Sequence, residues 1–432
     1  MNRFFFVILL IFISTLSAKT FTVSTSAELY DVVSKPLTEL EIYLKPGIYD
    51  LTPIPVIDST LGNALNPDSM ITVTTGLHLV GKSIKLIGKN RRKTIIKTHS
   101  GYGIFIEHCH NVLIKNLTIT DGTRDQDGNA TSGAIVVKHS HTKITGCIIE
   151  NNQGDFSKTI AGIIGICGRE GSILGVEYNI IRDNSWDGIA LYRKSRAFIE
   201  NNLIFNGRGA GIGITWDSNA TVKNNVIHHY WKGIGTFGTS KATVSCNLVR
   251  DIRGWGIIAS GNSEMSCNYN EVRRSGNVGI AVWDSTATMN SITGNVICLC
   301  GQEKQWIAPL VGIWINSPDS VAIIKNLFWG NKHADIAYGY KEPGPDGSSF
   351  SFSYSQERFN NNKIYSTESL DKLNYYKSNQ IEQRFNHDAC SSFFPAPYSS
   401  LLEFGFDLLH VSRGIFLGGD WTWDPDGEPF VN

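Results

Sequence analysis

The stretches GIALYRKSRAFIENNLI (188–204), GIGITWDSNATVKNNVI (211–227), GIGTFGTSKATVSCNLV (233–249) and GIIASGNSEMSCNYNEV (256–272) are variants of one unit. An asparagine near the end of each recurs at Asn179, Asn202, Asn225, Asn247 and Asn270. The glycines Gly188, Gly211, Gly233, Gly256 and Gly279 keep the same step of 22 or 23 residues. A fixed period of this length decides the architecture before any local propensity does. Inside each unit the apolar residues alternate, as in Ile189 and Leu191 or Ile212 and Ile214, and no run is long enough for a helix. Three short strands and three turns use up one unit. Stacked units therefore form an all-β fold, a right-handed single-stranded parallel β-helix of about 22–23-residue coils. Strands in register set each asparagine over the next, where amides can hydrogen-bond along the axis. The recurrent asparagines are accordingly read as scaffold.

The pattern also marks the ends. TSAELYDVVSK (25–35) opens with Thr25 and Glu28 in capping-box spacing, followed by an apolar face of Leu29, Val32 and Val33. A short N-terminal helix there would close the coil stack and cover its unpaired strand edges. Residues 36–100 read as irregular first coils, 103–119 as the first clear unit and 312–328 as the last. The β-helix domain is set at 19–340. Residues 341–432 lose the period and are expected to pack on or cap the barrel as an irregular segment. Residues 1–18 have a polar start, an apolar run and small residues ending at Ala18, the pattern of a signal peptide. The expected location is secreted or periplasmic, and no other stretch approaches the length of a membrane span.

Lys plus Arg equals Asp plus Glu at 39 each, so net charge implies no nucleic-acid or membrane-surface partner. A monomer is expected. Cys147, Cys246 and Cys267 lie in strand-like runs and are read as buried small side chains rather than disulfides. No CxxC or His-rich spacing suggests a metal site. No cofactor is expected, with Ca²⁺ the one ion left open.

These units resemble the pectate-lyase-like superfamily of β-helix proteins, which has periplasmic copper-associated and carbohydrate-acting branches. The resemblance covers roughly residues 70–340. It implies a substrate cleft on the first-strand face. No activity carries over. The paired Asp and Gly-His-Gly of polygalacturonases, the Asp-Pro-His-Asp of alginate epimerases and the Arg-x-Pro-x-x-Arg of classical pectate lyases have no counterpart here.

The residues themselves point to the same face. If 189 and 191 point inward, the outward floor is Ala190, Gly213 and Gly235, with Tyr192, Thr215 and Phe237 beside it. One border carries Arg193, Trp216, Asp217, Trp283 and Asp284; the other carries Asp187, His229, Trp231 and Lys232. Longer coils flank the compact ones, so a groove five coils long, roughly 24 Å, is expected. A small-residue floor with aromatic walls suits an extended polysaccharide, and basic groups mixed with one or two acids at its borders suit an acidic one. Trp216, Trp231, Asp187, Phe237, Trp283 and Asp284 are the candidate substrate contacts. Paired carboxyl groups at glycosidase spacing are not evident. The first reading is a polysaccharide lyase or related uronate-acting enzyme. In it His229 or Lys232 is the base, Arg193 the carboxylate clamp and Tyr192 a proton donor, with Asp217 the further catalytic candidate. The alternative is a non-catalytic glycan-binding or cell-envelope β-helix, and a glycoside hydrolase is third. Whether the chain is an enzyme at all stays open at this point.

Overall fold

The computed structural model describes residues 18–58, 70–154, 162–283, 290–301, 309–315, 321–339, 353–354 and 363–365. Each coil contributes one strand to each of three long sheets: Ile189–Leu191, Arg196–Glu200 and Leu203–Phe205, then Ala210–Ile214, Asn219–Lys223 and Val226–His228. Among the described residues the first-strand sheet has 13 strands and the other two have 12 each. Neighbours are parallel and in register, as where Ile189 pairs with Ile212 and Ile212 with Ile234. Inward positions such as Ile189, Leu191, Ile212, Ile214, Val222 and Ile227 form one continuous core.

The asparagine column is a hydrogen-bonded ladder. Asn179, Asn202, Asn225, Asn247 and Asn270 each donate from Nδ2 to Oδ1 of the next at 2.9–3.0 Å. The series runs on through Asn295 to Asn326, beyond the compact repeat. Each side chain also meets backbone groups: Asn225 Nδ2 donates to Ile199 O at 2.9 Å, and Asn225 Oδ1 accepts from Asn202 N at 3.0 Å. The residue before each ladder asparagine is left-handed (Asn201 φ 57°, Asn224 φ 55°, Cys246 φ 57°, Tyr269 φ 57°). That conformation turns the chain sharply, and the buried amide ladder offsets its cost at the non-glycine positions.

Residues 36–100 depart from the irregular reading. Glu39–Leu44 and Ser83–Gly88 pair in register within the second-strand sheet, so these are full coils. Their repeat is masked by an insertion: Ile54–Asp58 pairs antiparallel with Ile71–Thr75. The helix Ser26–Ser34 forms as expected. Thr25 Oγ1 accepts from Glu28 N at 3.2 Å, and Leu29, Val32 and Val33 are buried in the core. Beyond residue 340 the sheets gain short strands at Ser353–Tyr354 and Lys363–Tyr365. The leader reading for residues 1–18 falls almost wholly, and that for 366–432 wholly, outside the described residues. Among those described, no helix is long and apolar enough to cross a membrane. Cys109, Cys147, Cys167, Cys267, Cys298 and Cys300 are buried free thiols. Cys246 corrects the expectation for it, being disulfide-bonded.

Candidate functional site

The outward column of the first-strand sheet runs Cys167, Ala190, Gly213, Gly235, Ile258, Ala281, Trp314, one residue per coil. Side-chain size falls to nothing at Gly213 and Gly235 and rises on both sides. A cleft of about 380 Å³ opens there, lined by Trp186, Asp187, Tyr192, Arg208, Gly209, Ala210, Gly213, Thr215, Trp231, Lys232 and Phe237.

The open length is shorter than the expected five-coil groove. On one side the hairpin Ile54–Asp58/Ile71–Thr75 folds over the face, where Ile71 and Val73 pack with Phe105, Val136, Cys167, Ala190 and Tyr192. Its Asp58 accepts from Lys138 Nζ at 2.9 Å, Arg169 Nη1 at 2.8 Å and Tyr102 Oη at 3.0 Å, all of them buried. On the other side Trp255, Ile258 and Trp314 form a buried cluster with Trp231, Phe237 and Trp283. The result is a short pocket rather than a long groove.

The polar groups come from the links between third and first strands in three successive coils. Asp187 precedes Ile189–Leu191, Arg208 and Gly209 precede Ala210–Ile214, and Lys232 begins Lys232–Phe237. Ala210 pairs with Lys232, and its amide donates to Asp187 Oδ1 at 2.6 Å. The residue between acid and base is thus a methyl group and a backbone donor. Glycine at 209 makes room for the Asp187 carboxylate, because a Cβ there would stand 1.9 Å from Asp187 Oδ1 and push it aside; one on Gly213 would stand 3.3 Å from Oδ2.

Burial pushes the Asp187 carboxyl up to about 6; the Ala210 amide and the Lys232 charge work against that rise without cancelling it. Burial also lowers Lys232, while Asp187 opposes the fall. The Lys232 ammonium lies 5.9, 5.7 and 5.7 Å from the ring centroids of Trp231, Phe237 and Trp255. Three aromatic faces at that range favour the charged form. Arg208 lies 5.4 Å over the Trp186 ring. Tyr192 is buried, which raises its hydroxyl well above the usual range and keeps it protonated.

Asp187, Tyr192, Trp231, Lys232 and Phe237 are therefore brought together as the sequence suggested. The others are not. His229 follows the third strand Val226–His228, hydrogen-bonds with its neighbour His228 through their Nδ1 atoms at 2.5 Å and is not among the cleft-lining residues. Burial drives its imidazole down to about 4, and the charges of Arg250, Arg253 and Arg274 act in the same direction. Arg193 occupies the far turn, bonded to Glu170 at 3.1 Å and 4.9 Å over the Trp216 ring. Trp216 packs on Tyr192 at 5.2 Å from outside the pocket. Asp217 shares that far turn and accepts from Thr239 Oγ1. Trp283 stacks on Trp255 at 5.8 Å, beyond the cleft wall. Asp284 lies outside the described residues. In each described case the left-handed turn or the strand end, not the column, sets the direction: Arg193 has φ 49°, Trp216 53°, Asp217 64° and His229 58°. Arg208 was missed. Its signal was position, a basic residue on the same link as Asp187 and Lys232, one coil from each. Among the described residues no group of three or more His, Cys, Asp or Glu side chains is placed to hold a metal ion.

Three long sheets, one strand per coil and an internal amide ladder define a parallel β-helix. The chain belongs to the right-handed beta helix region family, whose model matches residues 69–227 and 162–328. No curated protein matches it. Solved structures with a similar chain path include the catalytic unit of a GH87 α-1,3-glucanase from Streptomyces thermodiastaticus (12% identity, 79% of this chain and 64% of that one, TM-score 0.49). Another is the A-module of a mannuronan C-5 epimerase from Azotobacter vinelandii (14% identity, 76% and 90%, TM-score 0.46). A third is a mannuronic acid specific polysaccharide family 6 lyase from human gut microbiota (13% identity, 89% and 99%, TM-score 0.43). The family match and the strand ladders establish the fold; likenesses this distant say nothing of chemistry.

Proposed function

We propose that the cleft binds an acidic sugar unit and that Asp187 removes the proton beside its carboxyl group. The observation that carries this reading is the charge lining: among the described residues one carboxyl, Asp187, and two cations, Arg208 and Lys232, line the cleft. A net positive pocket suits an anionic ligand. A glycosidase would need a second carboxyl group about 5–9.5 Å away, and among the described residues none lines this cleft.

In this reading Arg208 and Lys232 neutralise the sugar carboxylate, which acidifies the neighbouring C–H. Lys232, held among three rings, serves better as that charge than as the base assigned to it on sequence grounds. Asp187, ionised above about pH 6, accepts the proton. The electron pair left behind forms a C=C bond as the C–O bond to the adjoining sugar breaks, and Tyr192 supplies the proton to the departing oxygen. Return of a proton to the opposite face instead would epimerise the sugar. Acidic oligosaccharides are the expected substrates, since the pocket is short.

The test is a screen of uronate polymers and oligomers for unsaturated products by ultraviolet absorbance and for epimerised products by NMR. Wild-type turnover that disappears in Asp187→Asn supports the reading. New reducing ends without unsaturation would replace it with hydrolysis. Binding that survives Asp187→Asn, with no turnover in either protein, would favour the glycan-binding alternative.

A further inference from the structure

Away from the cleft, the turn between first and second strands carries its own column, one residue per coil. Two of its members are His108 (φ 51°) and His139 (φ 48°), followed by Glu170 (φ 48°) and Arg193 (φ 49°). The His108 and His139 rings lie 4.9 Å apart with planes 9° from parallel. Behind them His110 and His141 approach edge to face at 6.2 Å. The sequence reads His-Cys-His at 108–110 and His-Ser-His at 139–141. These coils step by about 30 residues rather than 23, so the repeated histidines fall outside the compact register.

We propose that His108 and His139 form a two-histidine site for a borderline divalent transition metal, Zn²⁺ or Cu²⁺. Residues facing each other on adjacent parallel strands are about 4.8 Å apart, so modest ring rotations bring one nitrogen of each onto a common ion at about 2.0–2.1 Å. His108 is 60% exposed, which leaves the approach open and its ring free to turn. Imidazole selects these ions over Ca²⁺ and Mg²⁺, which take oxygen ligands. Glu107 Oε1 lies 3.9 Å from His108 Nε2 but is held by Lys138 at 2.9 Å, and Glu170 is bonded to Arg169 and Arg193. With no third protein ligand grouped with the pair among the described residues, water fills the remaining positions. Such a site binds more weakly than a closed structural centre.

Isothermal titration of the untagged full chain with Zn²⁺, Cu²⁺ and Ca²⁺ tests this. The expected result is one equivalent of Zn²⁺ or Cu²⁺ bound, no Ca²⁺ at these residues, and affinity at least tenfold weaker in both His108→Ala and His139→Ala. His333→Ala, at an exposed position, should leave binding unchanged. The electron paramagnetic resonance spectrum of the Cu²⁺ form should show two nitrogen ligands, one of them lost in His108→Ala. His139→Gln replaces His139→Ala if the latter does not fold. Absence of Zn²⁺ and Cu²⁺ binding, or binding that neither substitution weakens, overturns the proposal.

Discussion

Asp187 shows what one residue gains and loses from its place in this fold. Its folded pKa of about 6 lies above the ordinary carboxyl value of about 3.9, because burial penalises the charged form. A carboxyl raised on folding contributes stability that is fully present below the unfolded value and lost as pH rises through the folded one. Between about pH 4 and 6 the protein should therefore lose up to about 3 kcal/mol through this group alone. Asp187→Asn should remove that dependence and unfold at higher denaturant than wild type at pH 7, measured by urea titration at pH 4 and pH 7. Equal pH dependence in both proteins would show that the carboxyl is not perturbed. If Asp187 is the base, the rate against pH should rise with a limb near 6 and level off above it. Gly209→Ala tests its position, because the new methyl group would displace Asp187 Oδ1. Turnover should drop at least about 100-fold with a circular dichroism spectrum like wild type.

Two elements hold the site in place by different means. The asparagine ladder fixes coil on coil: removing the Asn225 side chain strips an acceptor from Asn202 and donors from Ile199 O, Lys223 O and Asn247 Oδ1. Several buried groups are left unpaired at once, so Asn225→Ala should cost about 3 kcal/mol or more by denaturant unfolding. The hairpin is held by charge. Asp58→Ala leaves Lys138 and Arg169 buried without their shared carboxylate and should cost about 3–5 kcal/mol. A loss under about 1 kcal/mol would mean that water reaches the pair in solution. The ladder was legible in sequence because its partners recur at a fixed step. The ion cluster was not, because Asp58 and Arg169 are 111 residues apart and neither belongs to the pattern.

Over the whole molecule, a stack of parallel coils has two open ends, and the N-terminal one is closed by the helix Ser26–Ser34 through Leu29, Val32 and Val33. Leu29→Asp should unseat it, expose a strand edge and produce larger species by size-exclusion chromatography; a monomer of unchanged stability would show that the helix is dispensable. The stacking itself, the inward residues, the ladder and the outward glycines at 213 and 235 all follow from the 22–23-residue step, since a period fixes what lies above what. That is what the sequence determined by itself. Tertiary structure decided how much of the face stays open and which border residues reach it. The hairpin and the tryptophan cluster close the floor on either side of the glycine pair. Left-handed turns carry Arg193 and Asp217 away, while the links before the first strands deliver Asp187, Arg208 and Lys232. The repeat is silent on both points, because backbone direction at a turn and cover by an inserted segment depend on atoms outside the repeating unit.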